Sequence, residues 1–213
     1  MKKIALLGAT GGTGMSFLQM ALEAGHEVTC IARTPSKITL THERLKVVQG
    51  DVRNADSLVP ALAGQEIVVG IFGIASFSAG LKATDLYSVG IQNLLAAMKK
   101  AELADNRLIM VSSSAVVHDP TAPFMWNRVF RPLMWRMYAD MLYMELFIAA
   151  SDTKWTIVRP PQLVDGPISG ALKVDHIDPP KGKHKITRDD LAAFLMEEVN
   201  TQTYLYKWPM LDV

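Results

Sequence analysis

Three glycines spaced by two residues each, Gly8, Gly11 and Gly14, can do chemistry without a side chain among them, because bare backbone lets N–H groups close around an anion. Gly8 suits a tight turn, Gly11 a close approach of the backbone to a phosphate, and Gly14 the close packing of a helix on a strand. They sit in the loop Gly8-Ala9-Thr10-Gly11-Gly12-Thr13-Gly14, between an apolar run (Ile4 to Leu7) and a helical stretch (Gly14 to Ala24). That strand–turn–helix context separates a dinucleotide-phosphate cradle from an ordinary glycine turn.

The next chemistry-bearing stretch lies about twenty residues on, at the end of the second apolar run, where a carboxylate commonly accepts the adenosine ribose hydroxyls. Here the chain reads Ile31-Ala32-Arg33-Thr34-Pro35-Ser36-Lys37 and offers no carboxylate. Arg33 can make two hydrogen bonds to a 2′-phosphate and lay its plane on adenine, while Ser36 and Lys37 add a donor and a second charge. NADP(H) is therefore the expected cofactor, in preference to NAD(H). Gly50-Asp51-Val52 follows the third run. Asp51 is either an acceptor for the adenine amino group or a turn residue. Phe72 and Gly73 end the fourth run, where the missing side chain of Gly73 would let the backbone pass beside the riboses.

Short apolar runs that predict buried strands recur at Ile4 to Leu7, Val28 to Ile31, Leu45 to Val48, Ile67 to Phe72, Leu108 to Val111 and Trp155 to Val158. Helices are expected at Gly14 to Ala24, Asp85 to Lys100 and Trp126 to Ala150. The alternation predicts an α/β fold: a Rossmann-type doubly wound parallel sheet in three α/β/α layers, one domain over residues 1–213. The proline-rich stretch from Arg159-Pro160-Pro161 to Pro179-Pro180 reads as a loop over the carboxyl edge of that sheet.

Charge narrows the partners. With 22 basic and 21 acidic residues the net charge is +1, which gives no global field to recruit nucleic acid or an anionic membrane. The expected partner is a small molecule, the chain itself being a monomer or homodimer. Cys30 alone cannot form an internal disulfide or a multi-cysteine metal site, and no histidine pair has His-x-x-x-His spacing, so no metal is expected. The run after Met1-Lys2-Lys3 is too short for a signal peptide or a bilayer span, which predicts a cytoplasmic protein.

The glycine loop, Arg33, Gly50-Asp51-Val52 and Gly73 together resemble the atypical short-chain dehydrogenase/reductase superfamily, in particular its NAD(P)H-binding, NmrA-like branch. Ser112-Ser113-Ser114-Ala115, His118-Asp119-Pro120 and Val158-Arg159-Pro160-Pro161-Gln162 through Asp165-Gly166-Pro167-Ile168-Ser169-Gly170 are similar to the biliverdin-IXβ reductase, or NADPH-dependent flavin reductase, group of that branch. The resemblance runs over nearly the whole chain. It implies that Ser114 lies near the nicotinamide, and that Ser112, Ser113, Pro160 and Pro161 contact the cofactor. It also implies that Gln162 stands where the group carries a histidine, so protonation from that position is lost.

The superfamily's main branch reduces carbonyls with a Tyr-x-x-x-Lys pair, in which lysine lowers the tyrosine pKa. Four residues after Tyr87, Tyr138, Tyr143, Tyr204 and Tyr206 stand Ile91, Leu142, Phe147, Trp208 and Met210, so the pair is missing. What remains is hydride transfer to an acceptor that needs little acid catalysis, such as a flavin, a quinone or a linear tetrapyrrole, with the nicotinamide supplying the hard step. Alternatives are a non-catalytic NmrA-like redox sensor that binds NADP(H), and a nucleotide-sugar reductase or epimerase-like enzyme. The aromatic and methionine-rich stretch Phe124 to Ala150 could be an acceptor wall, core or a dimer face. Pro132 should break it into a lid-like first part and a core helix.

Overall fold

In the computed structural model, which describes residues 1–74, 81, 84–103, 106–120, 122 and 124–213, the six apolar runs lie side by side. They form β1 (Lys3–Leu7), β2 (Glu27–Ala32), β3 (Leu45–Gln49), β4 (Ile67–Gly70), β5 (Arg107–Val111) and β6 (Lys154–Val158), a parallel sheet in the order β3-β2-β1-β4-β5-β6. Side chains alternate between two cores, as a strand buried on both faces requires. In β1, Ala5 and Leu7 point to one core and Ile4 and Leu6 to the other; Leu108 and Met110 of β5 oppose Ile109 in the same way.

Among the described residues the two faces are covered by α1 (Gly12–Glu23), α2 (Ala55–Leu62), α3 (Leu86–Lys100), α4 (Trp135–Ala149) and α5 (Arg188–Thr201). The pair α1 and α5 packs on one face, and α2, α3 and α4 pack side by side on the other. The result is the three-layer, doubly wound α/β/α arrangement. Strand order reverses between β1 and β4, so the crevice at their carboxyl ends is where a ligand fits.

Two helices lie outside the sequence reading. α2 is capped by Asn54, whose side chain accepts from the Asp56 N–H at 3.1 Å. α5 opens on a capping box in which Thr187 and Asp190 satisfy each other's backbone N–H groups at 2.9 and 3.1 Å. The stretch expected as one long helix is divided. A π-helical turn (Trp126–Phe130) and a short helical turn (Arg131–Leu133) precede α4, and the backbone leaves helical geometry at Met134 (φ −100°, ψ 13°), two residues after Pro132.

The proline-rich stretch is not a plain loop. It contains β7 (Gln162–Val164) and β8 (Lys173–Asp175), which pair with β9 (Lys185–Thr187) and β10 (Met210–Asp212) respectively. Three-residue strands have no readable period, and their partners are remote in sequence.

Candidate functional site

The glycine loop has the geometry its spacing predicts. Gly8 holds φ at +98°, and a Cβ there would stand 2.5 Å from the Ile71 carbonyl carbon; a Cβ on Gly14 would stand 2.2 Å from the Gly8 oxygen. Both positions therefore demand glycine. Over Gly11 the space is open, with nothing nearer than the Gly8 oxygen at 3.6 Å. The α1 amino terminus has no side-chain cap and no acidic residue in its first turn, so its leading N–H groups are offered to an external anion. Open space over bare backbone, with a positive helix end behind it, fits a dinucleotide pyrophosphate.

A cavity of about 580 Å³ lies over this loop, lined by Gly8, Thr10, Gly11, Arg33, Lys37, Asp51, Val52, Phe72 and Gly73 among others. The tertiary structure thus gathers four separate stretches of the sequence reading into one cleft. Ser36 is exposed beside the cavity; Gly12, exposed, and Thr13 and Gly14, buried, form the start of α1 and are not among the lining residues. Asp51 both turns the chain and faces the cavity: its carboxylate accepts from the Arg53 N–H at 3.0 Å, and its own N–H donates to Ser57 Oγ at 3.0 Å.

Arg188, absent from the sequence reading, also lines this cleft. It is the first residue of α5, and its Cδ lies across the phosphate loop, 2.6 Å from where a Cβ on Gly12 would be. Its Nη1 pairs with Asp165 at 2.5 Å, linking α5 to the proline-rich segment. The capping box before an apolar run was a legible helix start. That the start lies against the glycine loop follows only from the packing of α5 on α1.

A second cavity, of about 440 Å³, shares Ile74 with the first. Ser112, Ser113, Pro160 and Pro161 line it, as do Tyr87 of α3, Met134, and Met137, Tyr138 and Met141 of α4. Ser114 is not part of this wall. It starts a 3₁₀ turn, and its N–H donates to the Pro160 carbonyl at 2.9 Å, tying the ends of β5 and β6 together. Gln162 is exposed while Leu163 takes the cavity side, since successive residues of a strand face opposite ways.

Buried carboxylates of α4 hold this wall. Glu145 accepts from Ser112 Oγ at 2.6 Å and from Arg159 Nε at 3.1 Å, so the Ser112 hydroxyl is committed to structure. Asp140 accepts from the N–H groups of Tyr87 and Ser88 at 2.9 and 3.2 Å, capping α3 from a neighbouring helix and fixing Tyr87 against the cavity. Asp85, in the N-cap position, instead pairs with Arg53 at 2.5 Å. Ser113 Oγ accepts from the Ala115 N–H at 3.2 Å, which leaves its hydroxyl hydrogen to donate.

Burial pushes the Tyr138 phenol up to about 12, despite the nearby Arg131, and raises that of Tyr87. Both phenols stay protonated and neither is an activated acid. Burial likewise pushes the Cys30 thiol up to about 12, which makes it inert. Among the described residues no group of three or more His, Cys, Asp or Glu is poised to hold a metal.

A family model described as NAD(P)H-binding matches residues 8–202. A 3-beta-hydroxysteroid dehydrogenase of Mycolicibacterium neoaurum is 29% identical over 136 residues, which is 57% of this chain and 37% of that protein. The match spans little more than a third of the dehydrogenase's length. ChuY, an anaerobilin reductase from Escherichia coli O157:H7, superposes with a TM-score of 0.78 at 21% identity, covering 99% of this chain and 96% of its own. A Streptococcus pneumoniae protein put forward as an NADH-flavin reductase gives a TM-score of 0.72 at 20% identity, covering 99% of each chain. At such identities the two structures speak for the fold.

Proposed function

The chain belongs to the NAD(P)H-binding family, and from that membership and its paired cavities we propose an NADPH-dependent reductase that passes hydride to a flat, conjugated acceptor such as a flavin, a quinone or a linear tetrapyrrole. One observation carries the reading: a cavity walled by methionines, tyrosines and prolines adjoins the cofactor cleft at Ile74, and its two phenols are held neutral by burial. Such a wall suits a flat conjugated ring. Among the described residues it supplies no lowered-pKa acid, which a ketone would need.

The roles of the residues follow from their places. The Gly8–Gly14 loop holds the pyrophosphate, with Arg188 as a further cation. Arg33 and Lys37 take the 2′-phosphate, and Asp51 lies toward the adenosine. NADPH, when bound, supplies the hydride. Ser113, with a free hydroxyl hydrogen at the cavity wall, orients the acceptor or the carboxamide; Ser112 and Ser114 hold backbone and helix in place. Anaerobilin and flavin reduction are also the activities that the names of ChuY and the Streptococcus pneumoniae protein carry.

The test is NADPH consumption, followed at the nicotinamide absorbance band, with FMN, FAD, quinones and biliverdin. Turnover with at least one is expected, and Ser113→Ala should lower it about two- to tenfold, the size of one lost hydrogen bond. Tight NADPH binding with no turnover across the panel would overturn the reductase reading in favour of a sensor.

A further inference from the structure

α4 carries its carboxylates inward, beside its methionines, and a second set of apolar residues outward. Asp140 and Glu145 are buried, whereas Trp135, Tyr143 and Leu146 are 60%, 58% and 55% exposed, with Leu142 and Phe147 beside them. The turns before the helix expose Phe124, Phe130 and Leu133 as well. So many large exposed apolar side chains within one short stretch are unusual on a free monomer. Its charge is one-sided as well. Arg128 and Arg136 are exposed, the Arg136 guanidinium lying 5.6 Å from the centre of the Trp135 ring. Between residues 124 and 150 the only acids are the two buried ones.

We infer that the face formed by residues 124–147 docks on an anionic lipid bilayer, lying in the headgroup plane. Trp135 and Tyr143 have the amphipathic rings that settle at such an interface, the leucines and phenylalanines enter the acyl boundary, and the arginines meet lipid phosphates. Among the described residues no helix is long and apolar enough to cross a membrane. The contact is therefore peripheral. The whole-chain charge of +1 does not oppose it, because surface charges act within a Debye length of about 8–10 Å and only the local cations count.

A second copy of the chain fits this face less well. Two-fold pairing sets the face against its own copy, which between residues 124 and 147 offers no exposed carboxylate to pair with Arg128 or Arg136. An anionic bilayer supplies that missing charge.

The experiment is flotation of the purified protein, without NADPH or acceptor, with phosphatidylcholine vesicles and with vesicles in which roughly a third of the lipid is phosphatidylglycerol. Binding to the anionic vesicles alone is expected, with a blue shift of tryptophan emission. The double variants Arg128→Glu/Arg136→Glu and Leu142→Ser/Leu146→Ser should each weaken it by about tenfold or more. Circular dichroism should show both still folded, as exposed positions allow. The inference is overturned if the protein stays unbound with anionic vesicles, or if neither variant changes binding. It is equally overturned if sedimentation shows a dimer that the same variants dissociate while vesicles recruit nothing. Because no cofactor is present, failure here leaves the reductase reading intact, and failure of turnover leaves this one intact.

Discussion

On the proposed reading the two arginines of the cleft do different work, and binding can tell them apart. Arg33 follows β2, where we place the 2′-phosphate that NADP(H) alone carries, whereas Arg188 lies across the glycine loop, where we place the pyrophosphate common to both dinucleotides. NADPH should bind at least tenfold tighter than NADH, about 1.4 kcal/mol, which one charge-assisted contact can supply. Arg33→Ala should erase most of that ratio. Arg188→Ala should instead weaken both cofactors alike and leave the ratio alone. Calorimetry with the two cofactors and the two variants decides the assignment. Equal wild-type affinities would remove Arg33 from the phosphate site, and a changed ratio in Arg188→Ala would move Arg188 to the 2′-phosphate.

At the scale of elements, the acceptor wall depends on one helix capping another. α3 has no cap bond from the residue that should supply it, and Asp140 of α4 takes its place through Tyr87 and Ser88. Removing a cap of this kind costs about 0.5–2 kcal/mol. Asp140→Ala should therefore lower Tm by about 1–8 °C, since each kcal/mol is worth about 2–4 °C in a chain of this size. Tyr87 loses its anchor in the same variant. The Michaelis constant for the acceptor should rise while NADPH affinity holds. Scanning calorimetry and steady-state kinetics check both, and an unchanged Tm would show that Asp140 does not cap α3 in solution.

For the molecule as a whole, stability should fall with acid in two stages. Burial holds His26 below its ordinary value of 6.5, helped by the terminal ammonium and Lys2, so the unfolded chain takes up the proton first. Stability from this group is complete above pH 6.5 and declines as pH drops through it. Burial alone would raise Asp190, but hydrogen bonds from Ser169 and Thr187 outweigh it and hold the carboxyl below 3.8. Its contribution is present above pH 3.8 and fades as pH falls below. Urea midpoints measured from pH 8 to pH 3 should show a shallow decline from about pH 6.5 and a steeper one near pH 3.8. His26→Gln should abolish the first stage. A flat profile from pH 8 to pH 4 in the wild type would show that His26 is not held neutral.

The sequence by itself determined the six strands, the glycine cradle and the absence of a Tyr-x-x-x-Lys pair, because these rest on local period, local backbone demands and fixed short spacings. Gly8 and Gly14 were legible because their conformation and crowding leave no room for a side chain. Tertiary structure alone decided which serines face the cavity. Ser112, Ser113 and Ser114 differ only in where β5 ends, and Gln162 and Leu163 only in the register of a three-residue strand. It also decided Arg188, whose place depends on a helix at one end of the chain packing on a helix at the other. The same holds for the stretch from Phe124 to Ala150. Its composition fits core, wall or contact surface equally, and the packing that buries Asp140 and Glu145 also turns Met134, Met137, Tyr138 and Met141 to the cavity and Trp135, Leu142, Tyr143, Leu146 and Phe147 to the outside. Such outcomes follow from distances between residues remote in sequence, on which a local pattern carries no information.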